Sequence, residues 1–571
     1  MENFRELISQ CDTLKKGDYS KEELSLYKLR LTKGKYGPRS EYQTYYFGQG
    51  NETQRHLVVM VVGATGAGKS TLINGMVNYI FNVDWNDNFR FKIIAEEGEN
   101  KAGRKVQSQT QMITSYTINP TKWSCFDFRL TIIDTPGFGD TRGIARDKAI
   151  VDQIREFFAD SSLHHVDHIN VIGFVAQASQ ARLTLTQKYV FDSVLALFGK
   201  DIEQNIMMLV TFADGQKPPL MDVIKEANIP CSNNIFKFNN SALFANKTDV
   251  DQLSGGKSSN DVVGRNVNDV EEGNADSLNN VFWKMGIQSM RRFFLALSQI
   301  EPKSLSLTQE VLKERQRLEA AIESLQPQIQ IGFHKLDELQ EEQRILEQHE
   351  EEIEANKDFT YVVDVQKSRK IDIKGDYILK CSRCHFTCHY PCKITDYKDI
   401  ARCCAMTEDG TCRVCPLRCP WAVHFHQNFK FDFYTEKETR TYAELESRYN
   451  DATGKKLAVG QVFKKHQEEF LSVQECVYRL ISESHRSLKR LEEIAMRPNP
   501  LSTLDYVDIL IEAEEREAMA GWRKRVKALQ EVRKAAEIQS QIGQANYNPF
   551  QQYQQQFGGK RKEEISMCNL S

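Results

Sequence analysis

The sequence predicts an α/β fold, a mainly parallel sheet with helices on both faces, followed by helical and coiled-coil segments and a small Cys/His-rich module. Three observations predict it. Gly63-Ala64-Thr65-Gly66-Ala67-Gly68-Lys69-Ser70-Thr71, preceded by the apolar run Val58-Val59-Met60-Val61-Val62, has the phosphate-loop (P-loop) pattern G-x-x-x-x-G-K-[ST] in a strand–loop–helix setting. From His56 to about Ile300, apolar runs of strand length alternate with segments of helical period, as in strands joined by crossover helices. Nine of the 14 cysteines fall between Cys381 and Cys419, so a local metal module is expected rather than a disulfide framework spread along the chain.

Taken in order, residues 1–50 are polar, contain Gly34, Gly37 and Pro38, and are expected to form an N-terminal extension with some helix at its start. Residues 51–300 hold the α/β domain. Its strands are expected at His56–Val62, Phe128–Ile133, Ile169–Ala176, Ile206–Phe212 and Ile235–Asn239. Its helices are expected at Lys69–Phe81, Thr186–Phe198 and Leu278–Ile300, the first with Leu72, Ile73, Met76, Val77, Ile80 and Phe81 on one stripe. A Gly/Ser/Asn-rich run between Leu253 and Asn274 reads as a loop.

Residues 301–365 turn charged and helical, with Val311, Leu318, Ile322, Leu325, Ile329, Leu336, Leu339 and Leu346 at three- and four-residue steps. Pro327 is expected to kink or split that helix. Two readings stand side by side: an oligomerising stalk, or a helix folded back on its own chain. Residues 366–432 are the cysteine module. Residues 433–545 form a second helical region with sparse apolar positions (Phe470, Val473, Val477, Leu480, Ile481, Leu488, Leu491) and a break at Pro498 and Pro500. Residues 546–571 are rich in glutamine and expected to be disordered.

At 571 residues the chain is too long for one core, and its 75 Lys+Arg against 78 Asp+Glu leave a formal charge of −3. No global basic field points to nucleic acid. No apolar stretch reaches bilayer length, and Met1-Glu2-Asn3-Phe4-Arg5-Glu6 does not read as a signal peptide, so a cytoplasmic protein is expected.

In the phosphate loop, Gly63, Thr65, Gly66, Ala67, Gly68, Lys69, Ser70 and Thr71 are the expected nucleotide contacts. The glycines let several N–H groups face one point, Lys69 brings a charge to the β/γ-phosphates, and Ser70 offers a hydroxyl to Mg²⁺. Asp134-Thr135-Pro136-Gly137 follows an apolar strand as a D-x-x-G element, its carboxylate serving Mg²⁺ and the Gly137 N–H the γ-phosphate. Thr211-Phe212-Ala213-Asp214 ends a later strand, where a carboxylate would accept both N1–H and N2–H of guanine; adenine has no such donor pair. Phe212 stands where a lysine stem usually covers the base and could stack there instead. Ser241-Ala242-Leu243 resembles a loop whose backbone touches guanine. The order of the three elements favours GTP over ATP.

On Gly63–Asn74, Asp134–Asp140 and Thr211–Gly215, the chain resembles the septin/AIG1 GTPases, over about 240 residues; Gln177–Thr184 followed by a helix is also similar. The resemblance implies a P-loop G-domain that dimerises across its nucleotide face. It also implies a switch threonine at Thr110, with Thr114 as rival because the loop after Ser70 is long, so Mg²⁺ would sit at Ser70, Thr110 and Asp134. Lys69, Thr110 and Gly137 would then be the catalytic set. Phe138, directly after D-x-x-G, cannot orient water, so slow hydrolysis is expected, with an arginine added in trans as the usual remedy. Arg104, Arg142 and Arg146 are nearby. His164, His165 and His168 are read as surface-loop histidines rather than metal ligands.

Cys381, Cys384, Cys388, His389 and Cys392 form one cluster, and Cys412, Cys415, Cys419 and His424 another, with Cys403-Cys404 between. Two C-x-x-C turns with further Cys/His at short spacing suit tetrahedral structural Zn²⁺, with the ligand pairing left open. The chain ends Cys568-Asn569-Leu570-Ser571, a prenylation-like pattern with Lys560-Arg561-Lys562 upstream. Together these suggest reversible attachment to a cytosolic membrane face. The expected function is GTP binding with slow, dimerisation-dependent hydrolysis that controls self-assembly or protein-partner binding. The competing readings are a zinc-stabilised scaffold that keeps its nucleotide and an ATP-using P-loop enzyme.

Overall fold

The computed structural model describes residues 4–17, 23–34, 42–50, 53–95, 110–139, 144–159, 166–179, 185–226, 230–231, 235–245, 278–348, 360–373, 377–383, 387–392, 394, 396–407, 409–415, 418–441, 459–497, 504–517, 522–544 and 547–554. They fall into two compact units: residues 1–312, 494–500 and 508–529, and residues 313–493, 501–507 and 530–571.

The first unit contains strands β1 (Cys11–Lys15), β2 (Ser25–Leu29), β3 (Thr32–Lys33), β4 (Tyr42–Phe47), β5 (His56–Gly63), β6 (Phe89–Lys92), β7 (Ile113–Ile118), β8 (Arg129–Asp134), β9 (His168–Ile169), β10 (Val171–Gln177), β11 (Ile206–Thr211), β12 (Ile235–Lys237) and β13 (Lys303–Ser304). Eight of them form one sheet in the order β12-β11-β10-β5-β8-β7-β4-β3. Pairing is parallel from β12 through β8, antiparallel between β8 and β7, parallel between β7 and β4, and antiparallel between β4 and β3. β5 lies near the middle and is buried from Leu57 to Gly63, so both its faces are covered. Leu57, Val59 and Val61 share a core with the helices Lys69–Ile80 and Leu278–Gln299. On the opposite face Val62 pairs with Phe174, whose ring stacks on Phe191 of the helix Leu185–Leu195 at 4.2 Å.

All five expected strands form, within a few residues of their expected ends. Residues 1–50, expected as an extension, are in part a correction: β3 and β4 complete the main sheet, and β1 and β2 form a second sheet with β6. The polar residues hid this because β4 mixes buried Tyr42, Thr44 and Phe47 with half-buried Gln43, Tyr45 and Tyr46. Arg90 on β6 is fully buried. Its guanidinium donates to the carbonyls of Leu243, Asp87 and Phe89 and lies 4.4 Å from the Trp283 ring centre, while burial pushes its pKa down to about 10. Buried Asn74 and Asn78 bind the backbone of Phe91, Ile93 and Ile94, fixing β6 against the phosphate-loop helix.

In the second unit, the helix Ser306–Gln348 enters from the first and runs through Pro327 without a break, so the expected split does not occur. Leu318, Ile322, Leu325, Ile329, Leu336 and Leu339 are all buried. Contacts of Glu314 with Ser487 (2.8 Å) and Lys335 with Glu469 (2.8 Å) set the helix antiparallel to Val459–Ile494. The helix thus packs on a later segment of its own chain, as the fold-back reading expected. β14 (Thr360–Asp372) and β18 (Phe429–Thr441) pair over 13 residues as an unanticipated ribbon, and β15 (Tyr377–Cys381), β16 (Thr387–Cys392) and β17 (His424–Gln427) form a small sheet carrying the cysteines. The tail expectation fails for residues 547–554. Phe550 is buried against Phe333 and Phe470, and the Tyr553 hydroxyl donates to Asp337 at 2.8 Å. Two aromatic anchors outweigh the surrounding glutamines.

Candidate functional site

The nucleotide site is built where β5 ends. Gly66 and Gly68 adopt φ of +79° and +85°, left-handed values that any side chain would strain, and Gly68 caps the helix Lys69–Ile80. Lys69 Nζ donates to the carbonyls of Gly63 and Ala64, each at 3.1 Å. Burial pushes this ammonium down to about 8, against the partial support of the Asp134 charge. Asp134, at the end of β8, is buried; burial raises its carboxyl to about 6, while Lys69 and a 3.0 Å hydrogen bond from Thr110 Oγ1 pull it back. Its Oδ1 is buried with no hydrogen-bond partner. A lone anionic oxygen there is a natural place for a hydrated divalent cation to be received.

The raised Asp134 pKa has a definite sign. In the ligand-free fold its stabilising contribution is complete below the ordinary carboxyl pKa and is lost as pH rises through about 6. A cation needs the ionised form, so binding below that value expels a proton. Magnesium–nucleotide affinity is therefore expected to climb by up to about tenfold per pH unit below pH ~6 and to flatten above it. Equilibrium titrations at several pH values check this; Asp134→Asn should remove the protein's share of the dependence and leave only that of the nucleotide's terminal phosphate.

D-x-x-G closes over the phosphate loop. Thr65 N donates to Phe138 O at 3.0 Å, and Thr65 Oγ1 to Gly137 O at 3.1 Å. A Cβ at Gly137 would fall 2.5–2.7 Å from Thr65, so only glycine fits. Thr110 donates to Asp134, whereas Thr114 lies in the β7–β8 ladder with its hydroxyl on Met112 O. Phe138 is fully buried and fills core. Arg146 binds Gln111 O, next to Thr110; Arg104 and Arg142 lie outside the described residues.

At the base side, Thr211 Oγ1 donates to Ala67 O (2.7 Å), joining β11 to the phosphate loop. Phe212 is 56% exposed at φ +52°, and a Cβ on Gly68 would lie 3.6 Å from its ring, so the aromatic face is presented beside the loop. Asp214 is exposed, with Oδ1 accepting from Gln216 N at 2.9 Å. Ser241-Ala242 is brought alongside by Asn239, whose Nδ2 donates to Ala213 O (3.0 Å) and whose Oδ1 accepts from Ser241 N and Oγ. Asn239 and Gln177, which donates to Gly66 O (3.1 Å), were not given roles by the sequence. The Asn239-Asn240 pair between the strand and Ser241 was the available signal for Asn239. His168, expected in a surface loop, is instead half-buried in β9, where it engages Asp167 and the His56 carbonyl; His164 and His165 lie outside the described residues.

In the cysteine module, Cys388, Cys412, Cys415 and His424 come together, all buried, with ligand atoms within 4.8 Å of one another. His424 Nδ1 faces Pro420 O at 3.0 Å, leaving Nε2 buried and without a partner, aimed at the thiols. The amides of Val414 and Cys415 donate to Cys412 Sγ, and that of Cys419 to Cys415 Sγ, hydrogen bonds that favour thiolates. Cys381, Cys415 and Cys419 form an overlapping group, and His389, Cys392 and Cys403 a separate one. The two sequence clusters are thus interleaved. Cys384 lies outside the described residues, and Cys403 was not among the expected ligands. None of the described cysteines is in a disulfide. These donors can hold a metal.

A glycine-rich phosphate loop, a buried Mg²⁺-type carboxylate and a base loop on one largely parallel sheet define a P-loop G-domain. Residues 53–168 match the family model described as Septin. No curated protein matches the chain. Similar solved structures include Toc33 from Arabidopsis thaliana in complex with Mg²⁺ and GMPPNP (16% identity, TM-score 0.23, covering 44% of this chain and 88% of that one). Toc33 with GDP and Mg²⁺ shows 16% identity and a TM-score of 0.24, covering 43% and 87%. A dimerization-deficient Toc33 mutant shows 15% identity and a TM-score of 0.23, covering 42% and 85%.

Proposed function

We propose that this chain binds GTP and GDP with Mg²⁺, hydrolyses GTP slowly, and uses the bound state to control association with a second copy or with protein partners. The observation that carries the reading is the convergence of Lys69, the unpartnered Asp134 oxygen, Gly137 and Asp214 on one end of the sheet. Lys69 would hold phosphate oxygens, Ser70, Thr110 and Asp134 the cation, and Asp214 the guanine edge. Mg²⁺ would offset phosphate charge; the protein groups position and shield. Phe138 offers no means to orient water, which supports a slow intrinsic rate.

Hydrolysis per molecule is expected to rise with protein concentration, because a partner's residue is what the buried Phe138 leaves missing. A steady-state specific rate that stays flat across a wide concentration range removes the dimer from the reading. The same buried Phe138 favours the scaffold alternative, in which nucleotide is held without turnover. Nucleotide extracted from purified protein separates them: GDP for turnover, GTP alone for a scaffold.

The cysteine module would hold structural Zn²⁺, since thiolates and imidazole in a closed, buried set suit that ion. Cys568 and Lys560-Arg561-Lys562, outside the described residues, are the proposed means of attachment to a cytosolic membrane face.

A further inference from the structure

We infer a second, separate metal site in the cysteine module, a structural zinc held by His389, Cys392 and Cys403 with Cys404 as fourth donor. The inference rests on the reading of the module as zinc-binding and adds an ion with its own ligands. Successive side chains of a strand point to opposite faces, so Cys388 and His389 on β16 diverge. Cys388 joins Cys412, Cys415 and His424; His389 faces the other way. Parity alone would return Cys392 to the Cys388 side. It does not, because β16 bulges: Leu379 pairs with His389 while Tyr377 pairs with Cys392, three residues of one strand against two of the other. The extra residue re-aims Cys392 to the His389 face, the effect for which bulges are known.

The turn after Tyr397–Arg402 then delivers Cys403, with its Sγ 3.2 Å from His389 Nδ1. Cys404 Sγ lies 3.7 Å from the same Nδ1. Cys392 and Cys403 are buried, and the donor atoms of His389, Cys392 and Cys403 lie within 4.8 Å of one another. Here Cys403 and Cys404 turn their sulfurs to the His389 ring with Cys392 beside them, a set of thiol and imidazole donors converging on one point. A tetrahedral Zn²⁺ takes that donor set. This site shares no ligand with the Cys388/Cys412/Cys415/His424 group. Such an ion would clamp the Cys403 turn onto the small sheet.

Metal content of the purified full-length chain, measured by mass spectrometry of the released ions after zinc loading and removal of excess, tests this. Cys392→Ser with Cys403→Ser should lower the zinc bound by about one ion per chain. The ion at Cys412 should be retained, and cobalt substituted into that variant should still give a thiolate charge-transfer band. Cys412→Ser should leave the His389 site loaded. To separate ligand loss from misfolding, His389→Cys, which keeps a donor, should retain the full content. Zinc content unchanged by the Cys392/Cys403 double substitution overturns the second site alone. No zinc in wild-type protein overturns the zinc reading of the whole module.

Discussion

Replacing Lys69 by methionine is expected to abolish useful nucleotide affinity while leaving the fold intact. In the ligand-free pocket this ammonium is buried, bound to two loop carbonyls and pushed down to about 8, so the fold bears a desolvation cost for it. That cost is recovered when phosphate oxygens arrive. Losing a charge-assisted contact in a dry site should cost about 3 kcal/mol or more, a roughly hundredfold rise in Kd. Methionine keeps the apolar stem, and exchanging a buried charge for a hydrophobe is often neutral or stabilising. Thermal unfolding without nucleotide should therefore be unchanged or raised slightly, and the shift on adding Mg·GTP should vanish. A variant that still gains stability from Mg·GTP as the wild type does would contradict the role of Lys69.

Asp214→Asn should change which purine is accepted. A carboxylate matches the two adjacent donors of guanine, whereas an amide presents its own NH₂ to the guanine amine. The mismatch is expected to cost about 2–4 kcal/mol, or about 30- to 1,000-fold in GTP affinity. Xanthosine triphosphate, with a carbonyl in place of that amine, should recover much of the loss. The surroundings are prepared for this: Asn239 pins Ser241 to the Ala213 carbonyl, and Asp214 Oδ1 is steadied by Gln216 N. Competition between GTP and xanthosine triphosphate for each protein reads the ratio. An unchanged ratio would place the base elsewhere.

Much of the nucleotide site was legible because its chemistry is local in sequence. The phosphate loop, D-x-x-G and the Thr211–Asp214 turn each occupy a few consecutive residues at strand ends, and the structure brings them to one end of the sheet. What sequence missed were pairings made over distance. β4 and β7 lie far apart in the chain, so no single window displays their partnership. The β14–β18 ribbon joins segments on either side of the cysteine module, and it replaced expected helix at both ends. The docked Phe550 was hidden by glutamines, and its seat requires Gly332, where a Cβ would lie 2.3 Å from the phenylalanine ring.

The metal module shows the same division. Its ligand types and turns were evident, including the C-x-x-C at Cys412 and Cys415, but which of them share an ion was left open, because the spatial groups do not follow proximity in sequence. Cys388 crosses to the later cysteines, and the β16 bulge sends Cys392 away from it. A bulge leaves no composition signal, since it consists of one residue too many against a partner strand not yet known. Which of Thr110 and Thr114 brings its hydroxyl to Asp134 was likewise visible only in the fold.

Calorimetric titration of the well-folded chain in magnesium with GTP, GDP and ATP is the most direct test of the pocket. Uptake of both guanine nucleotides near one per chain, with ATP weaker by at least about a hundredfold, is the result expected from Lys69, Asp134 and Asp214 acting together. Heat from neither guanine nucleotide, or equal binding of ATP, would contradict it.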